Sequence, residues 1–88
     1  MKYKVIYTKT AVKQFKKMDR TIAAFILSFI EEKLVDCENP RAYGKALQGE
    51  LNDIWRYRIG DYRILAKIED HLLVITVVEV GHHKSIYE

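Results

Sequence analysis

Three arginines, Arg56, Arg58 and Arg63, are spaced so that one strand-turn-strand unit gathers them on a single face. Residues Ile54 to Ile59 alternate with period two, so Trp55, Tyr57 and Ile59 share one side and Arg56 and Arg58 the other. Gly60-Asp61 is a two-residue turn signal, with glycine where a primed turn needs a positive φ. With those two residues as the whole loop, Ile59 faces Tyr62 and Arg58 faces Arg63, while Trp55 and Tyr57 lie with Ala66 and Ile64 on the core side. Like charges opposite each other destabilise a ladder, so the Arg58/Arg63 rung points to an anion held between them. Lys67 extends the same face. Beyond the last strand come Gly81, His82, His83, Lys84 and Tyr87. The register carries that tail past the sheet end occupied by the turn, which brings His83 and Tyr87 toward Arg58 and Arg63. A one-residue slip would exchange His82 with His83.

Cleavage of an RNA phosphodiester requires a group to accept the 2′-hydroxyl proton, cations to stabilise the crowded phosphorane, and an acid for the departing 5′-oxygen. Arginine suits the middle role because its planar fork is always charged and bidentate. Histidine serves either proton-transfer role near neutral pH, and Tyr87 or Trp55 could stack on a base. Plainer readings exist for the same residues: Trp55 as a core side chain, Arg56 and Arg58 as an exposed face paired with carboxylates, His83 as an ordinary tail residue. From the residues alone the chain is a small basic domain that binds a phosphate-rich partner, whether it cuts that partner or only holds it.

Other chemistries find no support. The four glycines are scattered, so no glycine-rich phosphate loop is present. No Cys/His set has zinc-like spacing, and His82 and His83, adjacent on an extended chain, are expected to point apart. No metal or cofactor is therefore expected. Asp53, Asp61 and Asp70 fall at turns or strand starts, which leaves a paired-carboxylate site unsupported. Cys37 has no partner for an internal disulfide, agrees with a reducing compartment and is expected to pack at a helix end.

The elements that must position these groups can be read in outline. Lys2 to Tyr7 alternates as a first strand with Tyr3, Val5 and Tyr7 on one side. Thr8 or Thr10 caps a helix whose buried stripe is Ala11, Val12, Phe15 and Met18. Asp19 caps a second helix with Ile22, Ile26, Phe29 and Ile30 on its apolar face, widened by Ala23 and Phe25, and ended at Asn39-Pro40. Residues 40 to 53 form a connection without legible structure. Strands are then expected over Ile54 to Ile59, Tyr62 to Glu69 and Leu72 to Val80, the last buried on both faces as a central strand and broken by Gly81. Asp70-His71 is the turn before it. The fold class is α+β: an N-terminal strand, a helical hairpin, then a three-stranded antiparallel meander.

With 88 residues, 49% hydrophobic and 31% charged, the chain has room for one domain, residues 1–88, and one core. The longest apolar runs fall far short of a membrane span, and no signal-peptide pattern opens the chain, so a cytoplasmic home and no membrane are expected. The net charge of +3 is unevenly spread. Residues 1 to 20 hold seven basic and one acidic side chain, so the first helix presents Lys9, Lys13, Lys16 and Lys17. That distribution suits an anionic polymer, although a solvated helix face accounts for it equally well.

The Leu47-Gln48-Gly49 element, the Trp55-to-Ile64 hairpin and the ending from Val80-Gly81-His82-His83 to Ile86-Tyr87 resemble, nearly end to end, the RelE toxins of bacterial toxin–antitoxin systems, within the RelE/ParE superfamily. The resemblance implies a RelE/ParE-like fold and a metal-independent endoribonuclease, an mRNA interferase. Such an enzyme enters the ribosomal A site and cuts the messenger by 2′-hydroxyl attack, leaving a 2′,3′-cyclic end. It also implies a RelB-like antitoxin as partner, and gives the basic first helix a role in contacting ribosomal RNA. Arg56 and Arg58 stand where the family often has lysines, Arg63 matches its third-strand arginine, His83 stands at a position commonly arginine, and Tyr87 matches its terminal tyrosine. On that basis Arg58, Arg63, His83 and Tyr87 are the expected catalytic set, and Arg56, Lys67, His82 and Lys84 the expected substrate contacts. Arginine effectively cannot act as a base, which shifts a proton-transfer role to His83. The alternatives are a ParE-like poison of DNA gyrase, which shares the fold and cuts nothing, and a relative that has lost activity. The Gly81-His82-His83 ending with Tyr87 favours the ribonuclease.

Overall fold

The computed structural model describes residues 1–47 and 53–85, which form one layer of helices on one five-stranded sheet. The elements are β1 (Lys4–Tyr7), α1 (Lys9–Lys17), α2 (Arg20–Phe29), β2 (Lys45–Ala46), β3 (Ile54–Ile59), β4 (Tyr62–Glu69) and β5 (Val74–His82). The spatial order is β1-β5-β4-β3-β2. Strands β3, β4 and β5 are the expected antiparallel meander, β1 joins β5 in parallel, and β2 adds an edge beside β3.

Of the two candidate caps of α1 the structure uses Thr8, and Asp19 caps α2 as expected. The Thr8 hydroxyl accepts from the Ala11 N–H at 3.1 Å, and the Asp19 carboxylate accepts from Thr21 and Ile22. Ala11, Ile26, Ile30 and Leu34 are fully buried and pack with Tyr57, Ile64, Ala66, Ile75, Val77 and Val80 of the sheet. The apolar stripes are narrower than their residue types imply: Val12 and Phe25 face outward, Phe25 at 62% exposure. Each helix turns one stripe to the sheet, Ala11, Phe15 and Met18 from the first and Ile22, Ile26, Phe29 and Ile30 from the second, which leaves Val12 and Phe25 outside it.

The second helix ends before Asn39-Pro40. It widens into a π-helical turn over Ile30–Leu34, in which the Val35 N–H donates to the Ile30 carbonyl at 2.9 Å. Asp36 then takes a φ of 60°. The chain leaves the helix there because Tyr3 captures it: the Tyr3 N–H donates to the Cys37 carbonyl and the Asp36 N–H to the Tyr3 carbonyl. Cys37 packs half-buried against the core, and burial pushes its thiol pKa up.

Strand β5 is shifted two residues from expectation. Asp70–Leu72 forms a 3₁₀ turn closed by Leu73 at a φ of 54°, so pairing starts at Val74. Gly81 does not break the ladder; it pairs with Arg63, and His82 with Tyr62, because β4 begins early enough to supply partners. β5 is an interior strand as expected, between β1 and β4, but it is not buried on both faces. Ile75, Val77 and Val80 of β5 are buried under the helices, whereas Val74, Thr76 and Glu79 are only half-buried, because helices cover one face of the sheet alone. No helix among the described residues is long and apolar enough to cross a membrane.

Candidate phosphate-binding face

The β3-β4 hairpin has the register its sequence implies, with Arg58 opposite Arg63, Tyr57 opposite Ile64 and Trp55 opposite Ala66. Gly60 has a φ of 59°, with open space where a side chain would stand, so its glycine serves the backbone and not packing. The helix-free face therefore carries Arg56 and Arg58 on β3 and Arg63 and Lys67 on β4.

These cations are not equivalent. Arg63 is 9% exposed, and its guanidinium donates to the carbonyls of Gly60 at 3.3 Å and Tyr62 at 3.1 Å. Those carbonyl dipoles offset part of the repulsion from Arg58 across the rung. Arg58 is exposed, and among the described residues it makes no ion pair. Lys67 shares the face but lies at the far end of β4 opposite Ile54. Four residues of strand, about 13 Å, separate it from Arg63. Between them sits a small apolar cluster of Leu47, Leu65 and Ile54, in which Leu47 covers a sheet face that no helix reaches.

Beside Arg56 and Arg58 lies a cleft of about 210 Å³ whose other walls among the described residues are Gly44 and Lys45. Lys45 pairs with Arg56 in the β2-β3 ladder. Lys45 is not legible in the sequence because it lies in the connection without periodicity, and a strand of two residues carries no pattern to read. The one available signal was Gly44 directly before a lysine.

The histidine tail takes two positions. His82 lies on the helix side, edge-on to Tyr62 with ring centroids 5.4 Å apart, and lines a groove with Gln14, Lys17, Met18 and Ser85. The His83 N–H donates to the Asp61 carbonyl at 2.8 Å, which ties His83 to the turn joining the Arg58 and Arg63 strands. The two rings do not point apart: they stack at 4.4 Å with an interplanar angle of 33°. Strand alternation stops at His82, and the chain turns so that the Ser85 N–H donates to the His82 carbonyl. Lys84 is exposed, and its N–H donates to His82 Nδ1 at 3.2 Å. Tyr87, with Ile86 before it, and the Gln48-Gly49 pair lie outside the described residues.

Trp55 packs against the core as a partly buried side chain, and its indole N–H donates to the Tyr43 carbonyl at 2.6 Å. Around it the 40–46 segment is pinned at several points. The Tyr57 hydroxyl donates to the buried Pro40 carbonyl at 2.6 Å, and Phe29 lies edge-on to Tyr43. Arg41 makes a bidentate pair with Asp70, which also accepts from the Tyr3 hydroxyl at 2.6 Å. The Arg41 contact, then the Tyr3 hydroxyl, hold the Asp70 carboxyl below its usual range. Burial pushes the Tyr57 phenol well above the ordinary tyrosine value.

Comparison with known proteins agrees with this architecture. Residues 5–87 match the family model described as ParE toxin of type II toxin-antitoxin system, parDE. The toxin RelG of Mycobacterium tuberculosis is 32% identical over 87 residues, covering 99% of this chain and 98% of RelG. The toxin RelE of the same organism is 28% identical over 85 residues, covering 97% and 86%. Among solved structures, the toxin–antitoxin complex RelBE2 from M. tuberculosis superposes with a TM-score of 0.84 at 30% identity, over 93% of this chain and 92% of the matched one. A helical pair on one face of a five-stranded sheet and a family match across nearly the whole length lead to one assignment: this chain belongs to the ParE toxin family of type II toxin–antitoxin systems, and is a RelE-like toxin of the RelE/ParE superfamily.

Proposed function

We propose that the protein is an mRNA interferase, a toxin that cuts messenger RNA in the ribosomal A site without a metal and so stops translation. The observation that carries this reading is the row of cations on the helix-free face, Arg56, Arg58 and Arg63, beside a turn to which His83 is bonded. Arg58 and Arg63 would hold the scissile phosphate and stabilise the phosphorane as the 2′-oxygen bonds to phosphorus and the bond to the 5′-oxygen breaks. His83 carries one of the two proton transfers, either from the 2′-hydroxyl or to the leaving 5′-oxygen. Tyr87 stacks on or orients a base, and Lys84 and the basic face of α1 contact RNA.

A cognate antitoxin of the RelB kind is the proposed protein partner, since RelBE2 is itself a toxin–antitoxin complex. Exposed Phe25 and its apolar groove with Ile22 and Ile59 are the kind of surface such a partner covers.

Primer extension on a defined messenger in a translation reaction tests the activity. Cuts at A-site codons that vanish when ribosomes are omitted are the expected result, and His83→Gln should slow them. Equal cutting by His83→Gln removes the histidine from the mechanism. The family match to a ParE toxin favours a second reading, gyrase poisoning. An intact messenger together with a trapped gyrase–DNA cleavage complex would establish it.

A further inference from the structure

We propose that Lys45 and Arg56 form a second phosphate subsite, which takes the phosphodiester one nucleotide along a single RNA strand from the phosphate held by Arg58 and Arg63. The inference rests on the ribonuclease reading and extends it to a residue outside the expected site. Lys45, Arg56 and Arg58 are the charged walls of the cleft among the described residues. Among the described residues Lys45 makes no ion pair. Arg56 and Arg58 point the same way two residues apart on β3, about 7 Å along the strand, comparable to one nucleotide step of an extended strand. Arg58 borders both the cleft and the Arg63 rung, so a strand crossing the face meets one continuous track of cations.

One wall of the cleft is Gly44, where the chain entering β2 runs close against β3. A Cβ on Gly44 would stand 2.2 Å from the Arg56 carbonyl oxygen and 2.8 Å from the Trp55 indole nitrogen, and Gly44 has a φ of 80°. Both facts demand glycine. The Trp55 N–H holds the preceding carbonyl of Tyr43 at 2.6 Å, which fixes where the next two residues, Gly44 and Lys45, enter the ladder. Trp55 is thus a positioning residue for Lys45, and Lys45 is the substrate contact.

The test uses the purified full chain and a 2′-O-methyl RNA hexamer, which binds but lacks the nucleophile for cleavage. Binding is followed by fluorescence anisotropy over a series of salt concentrations. Losing one phosphate contact should lower the slope of log affinity against log salt by about 0.7 for a single strand. Lys45→Gln should show that drop with weaker binding, and Lys45→Arg should restore both. Trp55→Phe keeps a ring but loses the donor, so it should weaken binding less when Lys45→Gln is already present than when alone. A wild-type slope in Lys45→Gln overturns the subsite, as does a wild-type chain with no salt-dependent binding. Additive effects of Trp55→Phe and Lys45→Gln overturn the positioning role. Since the hexamer is never cut, failure of the ribonuclease reading registers separately in primer extension.

Discussion

Arg58 and Arg63 occupy one rung of the ladder yet differ in what surrounds them. Arg63 is held by two turn carbonyls, so it is both a candidate phosphate contact and a clamp on the hairpin. Arg58 projects into solvent at the edge of the cleft. Arg58→Ala should therefore reduce cleavage about 10²-fold, the cost typical of one lost transition-state donor, with an unchanged melting temperature. Arg63→Ala should lower both rate and melting temperature, as parallel primer-extension and thermal-unfolding measurements would show. Asp70 allows a pH prediction at the same scale. Its carboxyl is depressed first by Arg41 and then by Tyr3, so the charged form stabilises the fold. That contribution is fully present above the unfolded carboxylate value of about 3.9 and fades as pH falls through the lower native value. Below a pH of about 4 the wild-type melting temperature should fall more steeply than that of Asp70→Asn, and thermal scans at several acid pH values would measure the difference.

Two glycines serve different elements by different physics. Gly60 closes the β3-β4 hairpin at a positive φ, with empty space around its absent side chain. Gly60→Ala should then cost about 1–2 kcal/mol through the backbone alone, with register and RNA affinity kept. Gly44→Ala meets the Arg56 backbone, which cannot retreat without opening the β2-β3 pairing. It should displace β2 and weaken RNA binding more than Gly60→Ala does at equal stability. Denaturant unfolding paired with hexamer binding separates the two. The hairpin was legible beforehand because alternation and a Gly-Asp turn are local signals. Residues 40–46 were opaque because Tyr57, Trp55 and Asp70 hold them from distant points of the chain.

At the scale of the molecule, two surfaces gather basic side chains among the described residues, the arginine face of the sheet and the lysine-rich outer side of α1. Lys13, Lys16 and Lys17 are exposed and without ion pairs among the described residues. Replacing all three with Gln should raise the ribosome concentration needed for half-maximal cleavage and flatten its salt dependence, while the rate at saturation stays near wild type. A loss confined to the saturated rate would place these lysines elsewhere in the mechanism. A titration of ribosomes at two ionic strengths gives both quantities.

Residue types and short-range periodicity by themselves determined the α+β class, the Asp19 cap of the second helix, the hairpin register and the face shared by Arg56, Arg58 and Arg63. Each of these follows from contacts between residues few positions apart, where steric and hydrogen-bonding rules act without the rest of the chain. Tertiary structure alone decided the early end of the second helix, the stacking of His82 on His83, and the arrival of Lys45 beside Arg56. Those outcomes depend on bonds between residues far apart in sequence, Tyr3 with Cys37, His83 with Asp61 and Trp55 with Tyr43, and only the folded chain brings them within hydrogen-bonding distance.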